Sequence, residues 1–103
     1  MQRGISIETR NQAGSTPLIV AAFSNQQEAV EYLCKRGANV NARNNNGVTA
    51  LHHAAYYNLV EVAEVLLKYN PDKTIEDKYG NTPLDYAEQY DYDRMIELLK
   101  NEN

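Results

Sequence analysis

A single cysteine, Cys34, occurs among the 103 residues. No internal disulfide can form, so cysteine usage gives no sign of an oxidising compartment. No apolar run approaches the roughly 20 residues of a membrane-spanning helix, and Met1-Gln2-Arg3 leads into no signal-peptide core. Cytoplasmic residence is the default expectation, with no membrane partner. Excess positive charge is also missing: ten basic groups face fourteen acidic ones, for a net charge of −4. An acidic chain lacks the electrostatic footprint of nucleic-acid binding, and that class of partner is set aside. Chemistry is equally thin. No serine, histidine and acid constellation has recognisable spacing, and no glycine-rich loop fits a phosphate. His52 and His53 are adjacent, and neighbouring helical residues point about 100° apart, a poor geometry for chelating one ion. The acidic residues from Glu76-Asp77 to Asp93 lack the one-three-five oxygen spacing of a calcium loop, and Lys78 interrupts them. They read as a solvated polar face. Neither an enzyme nor a metal or cofactor site is expected.

What is present fits one small folded domain, with 43% hydrophobic and 23% charged residues. At this length the surface is large relative to the volume, so the core is marginal. Charge is unevenly spread. Residues 1–43 carry five basic and three acidic groups, whereas residues 44–103 carry five basic and eleven acidic ones. Such polarity steers partners of complementary charge.

Periodicity decides the architecture. Gly14, Gly47 and Gly80 are spaced by 33 residues, as are Thr16, Thr49 and Thr82. Leu18, Leu51 and Leu84 keep the step, as do Ala21, Ala54 and Ala87, and Gly4 and Gly37 repeat it at a second phase. A period in this range is the mark of a solenoid. Each unit opens with a helix start: threonine suits an N-cap and proline the first helical position in Thr16-Pro17-Leu18 and Thr82-Pro83-Leu84. Thr49-Ala50-Leu51 lacks only the proline. A first helix over about residues 17–24 is predicted, its Ala21 and Ala22 small enough for close helix approach. A polar break at Asn25-Gln26 then precedes a second helix over about residues 27–36. The second helices carry apolar stripes at helical period: Ala29, Val30, Leu33 and Cys34; Val62, Ala63, Leu66 and Leu67; Met95, Ile96 and Leu99. Cys34 is thereby a small buried hydrophobe. Gly37, and Asn70 in the next unit, fall where a left-handed residue ends the helix.

The segment Gly47-Val48-Thr49-Ala50-Leu51-His52-His53-Ala54-Ala55 resembles the G-x-T-P-L-H-x-A-A signature of the ankyrin repeat. Gly37-Ala38-Asn39-Val40-Asn41-Ala42 resembles its G-A-D-V-N-A turn, and the likeness extends over about residues 3–100. It implies an all-α solenoid of about two and a half to three repeats, with antiparallel helix pairs and projecting β-turn fingers. The units are residues 11–43, 44–76 and 77–103, after a partial repeat tail at 3–10, within one domain over 1–103. It also implies a structural His52, bonding between neighbouring fingers, and an Asn41 whose side chain bonds turn backbone. Lys100 stands where a buried leucine is otherwise expected, and Asp85, Glu88, Asp91 and Asp93 add the polarity of a capping unit. The chain begins in mid-repeat, so an open apolar face near Leu18, Ala22 and Val30 is expected to favour self-association.

The resemblance implies partner contacts beside the finger glycine, at the end of the first helix and at the unit's last residue. In this sequence those are Arg10, Gln12, Ala13, Ser15, Phe23 and Ser24, then Arg43, Asn45, Asn46, Val48, Tyr56 and Tyr57, then Glu76, Lys78, Tyr79, Asn81, Gln89 and Tyr90. Five of the chain's nine aromatic residues fall in this set, with two arginines, the residue types that dominate interface hot spots. The alternative reading of the rings is that they steady the fingers and helix ends. The expected function is a non-catalytic protein-binding module, an adaptor or inhibitor, its arginines suited to an acidic partner surface. A spacer within a longer array, or a small immunity-type inhibitor of a toxin or hydrolase, are the competing expectations.

Overall fold

The structure, a computed structural model, describes residues 7–101. Six α-helices follow one another: α1 (Pro17–Phe23), α2 (Gln27–Lys35), α3 (Ala50–Tyr56), α4 (Val60–Leu67), α5 (Pro83–Gln89) and α6 (Asp93–Lys100). Residues 3–6 of the expected repeat tail lie outside the described residues. Ser24 and Arg36, placed inside helices by the sequence pattern, are instead the C-caps of α1 and α2.

The local reasons for these elements repeat every 33 residues. Thr16, Thr49 and Thr82 cap α1, α3 and α5, each hydroxyl accepting from the backbone N–H three residues on. One such cap is worth about 1 kcal/mol. His52 and Asp85 complete reciprocal capping boxes by accepting from the N–H of Thr49 and Thr82. The two helices of a pair are joined through Asn25, Asn58 and Asp91, all left-handed with φ of 56°, 56° and 57°. These are residue types that tolerate that conformation, so what reads in sequence as a polar break is a defined turn. Each turn is closed by Gln26, Leu59 or Tyr92, whose N–H bonds the carbonyl of Ala21, Ala54 or Ala87.

Helices α1, α3 and α5 stack as an inner row and α2, α4 and α6 as an outer row, in an elongated body of 46 × 25 × 21 Å. Alanine lets the short inner helices approach closely: Ala22, Ala54, Ala55 and Ala87 have no exposed surface. Leu18, Leu51, Val30, Val62, Leu66 and Met95 fill the space between the rows. Leu18, Ala22 and Val30, expected beside the open first face, are fully buried in this shared core. That face instead presents Pro17, exposed Val20, Ala29 and Leu33, because the residues one step around each helix point the other way.

The fingers are built by side chains. Asn11 Oδ1 accepts from the N–H groups of Ala13 and Ser15, Asn44 Oδ1 from Asn46 and Val48, and Asp77 Oδ1 from Tyr79 and Asn81. Asp77 is therefore buried and structural, correcting its assignment to a solvated acidic face. Gly14, Gly47 and Gly80 take the left-handed position of each turn, at φ of 79°, 76° and 82°.

Two glycines separate conformational strain from crowding. A Cβ on Gly47 would stand 3.1 Å from Asp77 Cα and 3.2 Å from Lys78 N, whereas one on Gly37 would meet nothing within 4 Å. Gly37→Ala should cost about 1 kcal/mol from its positive φ alone. Gly47→Ala should cost about 2–3 kcal/mol, since the third finger must also shift. Urea denaturation of the two variants checks the ranking.

Candidate protein-binding surface

The inner row and the fingers form the two walls of a groove of about 390 Å³ across the second and third units. Asn46, Val48, Tyr56, Tyr57, Tyr79, Asn81, Gln89 and Tyr90, all anticipated contact residues, line it together with His52, His53, Asp77 and Tyr86. Helical spacing explains the company: His53 and Tyr86 lie one turn before Tyr57 and Tyr90, on the same helix face. They occupy equivalent positions 33 residues apart, the signal that could have added them to the predicted set.

The rings form one continuous series. Phe23 meets His53 at 5.1 Å between centroids and Tyr57 at 5.5 Å, so the first unit joins the second. Tyr56 stands nearly perpendicular to Tyr57, Tyr86 and Tyr90, at 4.8, 5.3 and 5.5 Å. Tyr90 stacks on Tyr92, whose hydroxyl donates to the Tyr56 carbonyl at 3.1 Å. Edge-to-face pairs of this kind contribute about 0.5–1.5 kcal/mol each beyond burial. The rings therefore steady the stack, yet Phe23, Tyr56, Tyr57 and Tyr90 keep 53, 39, 46 and 42% of their surface exposed.

The remaining predicted residues lie along the fingers. Arg10 donates to the carbonyls of Gly14 and Arg43 at 2.7 and 2.8 Å, and Arg43 donates to the Glu76 carbonyl at 3.1 Å. Asn45 donates from its side chain to the Gln12 carbonyl and from its backbone to Ala13. The Lys78 N–H reaches the Asn46 carbonyl, and its ammonium sits 5.2 Å from the Tyr79 ring centre. Each of these ties one finger to the next or to itself. Ser15 is buried, with its hydroxyl accepting from the Asn44 amide, and is not available to a partner.

His52, Asp77 and Tyr86 are all engaged at the groove base. His52 Nδ1 accepts from the Thr49 N–H, which leaves Nε2–H to donate to the Asn81 carbonyl at 2.8 Å. This is the bond between a helix start and the neighbouring finger that the resemblance implied. Burial holds the His52 imidazole below its ordinary pKa, although the Asn81 carbonyl pulls the other way. Burial, then the adjacent His52, pushes His53 down to about 4. Burial alone would raise the Asp77 carboxyl, but bonds from the Tyr86 hydroxyl and from the Asn81 and Tyr79 N–H groups outweigh it and leave it lowered. Burial and the Asp77 carboxylate raise Tyr86. At neutral pH the one formal charge lining the groove is thus Asp77. Away from it, Asn41 Oδ1 accepts from the Asp72 N–H at 2.7 Å, bonding turn backbone as implied. Cys34 is buried, with its thiol pushed up to about 11. No three histidine, cysteine, aspartate or glutamate side chains among the described residues gather to hold a metal ion.

Stacked helix pairs with side-chain-capped fingers and a concave groove define a helical-repeat scaffold of the kind that presents a surface rather than a catalytic cleft. The family model described as ankyrin repeats (3 copies) matches residues 1–77 and 43–103, and the chain belongs to the ankyrin-repeat family. Members of this family are generally protein–protein interaction modules and typically non-catalytic. No curated protein matches the chain.

The neutral His53 has a consequence for stability. Its pKa is about 4 folded and near the ordinary 6.5 unfolded, so between these values the unfolded chain binds more protons. Stability should fall as pH drops from about 6.5 towards 4, with His52 acting in the same direction. His53→Phe keeps a ring against Phe23 and removes that titration, so its stability should fall less steeply over the same window. Denaturation curves across the window for both proteins check this, and parallel profiles would contradict it.

Proposed function

We propose that this chain docks a partner protein on its concave face and acts as an adaptor or inhibitor by occlusion, without chemistry. The observation that carries the reading is the row of exposed rings across three units: Phe23, Tyr57, Tyr56, Tyr90 and, at the third fingertip, Tyr79 at 72% exposure. Large amphipathic rings held in place by their neighbours lose little side-chain freedom on binding, which is what a hot spot requires. Blocking the active surface of a toxin or hydrolase would be one form of such occlusion. Cytoplasmic residence suits the scaffold, since its only thiol is buried and unpaired.

Self-association is a second use of the same stacking physics. Beside the first unit an apolar depression of about 450 Å³ is lined by Pro17, Val20, Ala29 and Leu33. Another helix pair, from a second copy, would cover it as the second unit covers the other side of the first.

Affinity capture from source-cell lysate distinguishes these surfaces. A partner retained by the wild type should be lost with a folded Tyr57→Ala/Tyr90→Ala variant, each change weakening binding by more than about 1 kcal/mol. Retention of the chain itself, with a light-scattering mass that rises with concentration and falls in Val20→Asp, would assign the contact to the end face. A partner held equally by both proteins would overturn the concave docking surface.

A further inference from the structure

The arginines that pointed to an acidic partner are engaged by backbone carbonyls. The Arg10 guanidinium is held by the Gly14 and Arg43 carbonyls and that of Arg43 by the Glu76 carbonyl, so both act between fingers. What remains in the groove has the opposite electrostatic character. Its tyrosines present faces that carry the negative end of the ring quadrupole. Its histidines are neutral, and its one formal charge is the Asp77 carboxylate. Exposed Glu76, at the end of the second unit, and Asp85, Glu88 and Asp91 of the third add to this field. The opposing charges at the rim are Arg43, whose guanidinium is bound to the Glu76 carbonyl, and Lys78. The Lys78 ammonium already rests over the Tyr79 ring at 5.2 Å, a tyrosine face of this groove holding a cation.

We infer that the groove receives a basic side chain, arginine foremost, from a cationic segment of the partner protein. This rests on the docking function proposed above and specifies its chemistry. A guanidinium is planar and weakly hydrated, so it can leave water and lie against a phenol ring at small cost. Tyr56 stands nearly perpendicular to both Tyr57 and Tyr90, so such faces are offered in more than one direction. An acidic side chain would meet ring faces and Asp77 of its own sign.

The test uses three capped tripeptides, acetyl-Gly-Arg-Gly-amide, its glutamate counterpart and its norleucine counterpart, titrated into the whole chain with labelled tyrosine rings. The arginine peptide should shift the Tyr56, Tyr57 and Tyr90 ring resonances saturably in NMR, less so in high salt, and leave Tyr69 on the outer row unmoved. Tyr90→Leu should weaken that binding about three- to fivefold, and Tyr90→Phe, which keeps the ring face, should retain most of it. Comparison of the three peptides on the wild type decides the matter even if a variant is unstable. Equal shifts from the glutamate or norleucine peptide, or none from the arginine peptide at tens of millimolar, would overturn the inference. Should either occur while the partner is still captured through Tyr57 and Tyr90, docking on this face stands and only its cationic chemistry falls.

Discussion

The close approach of neighbouring inner helices, made possible by alanine, is the constraint on which the rest of the structure depends. Ala22, Ala54, Ala55 and Ala87 are wholly buried between α1, α3 and α5. A larger side chain at any of them would push two units apart, and overpacking of this kind costs about 1–3 kcal/mol. The separation would not stay local. Fingers that project from adjacent units meet only because the helices behind them are close, and the groove exists only because the fingers meet.

Polar groups then convert that spacing into a fixed register. Asn11, Asn44 and Asp77 shape each finger from within, while Arg10, Arg43 and His52 bond the backbone of the following finger and Asn45 that of the preceding one. Such hydrogen bonds contribute about 0.5–1.5 kcal/mol apiece, and the exposed ones less than that of His52, whose ring is buried. Ion pairs add little by comparison. Lys68–Glu31 and Arg94–Glu64 link outer helices of successive units, but both cations are more than half exposed, where such pairs are worth about 0–1 kcal/mol. Rigidity in the groove comes from packing and finger bonds.

Much of this was legible in the sequence because a 33-residue period repeats every local signal three times. Threonine caps, alanine positions and the left-handed Gly37 and Asn70 could be assigned from spacing alone. The rings of Tyr56, Tyr57, Tyr79 and Tyr90 were placed on one surface because their unit positions face the same way. The roles of Arg10 and Arg43 were not legible, since a residue type shows what a side chain can bond and not whether a neighbouring carbonyl already holds it. Asp77 was misassigned for a related reason: a carboxylate inside an acidic stretch looks solvated until its three donors are seen. His53 and Tyr86 join the same surface because each lies one helical turn before Tyr57 or Tyr90, a spacing that the sequence carries even though neither residue ends its helix.

Bonds between fingers hold the groove in shape before any partner arrives. Amide hydrogen exchange on the free protein examines that most directly. The Asn45 and Lys78 N–H groups bond the Ala13 and Asn46 carbonyls of the preceding fingers, both at 2.9 Å. If the fingers open only when units separate, these two amides should exchange as slowly as the core helix amides of Ala63 and Leu66. Near-unprotected exchange at Asn45 and Lys78, with the helices still protected, would show the fingers opening independently and would contradict a preformed groove.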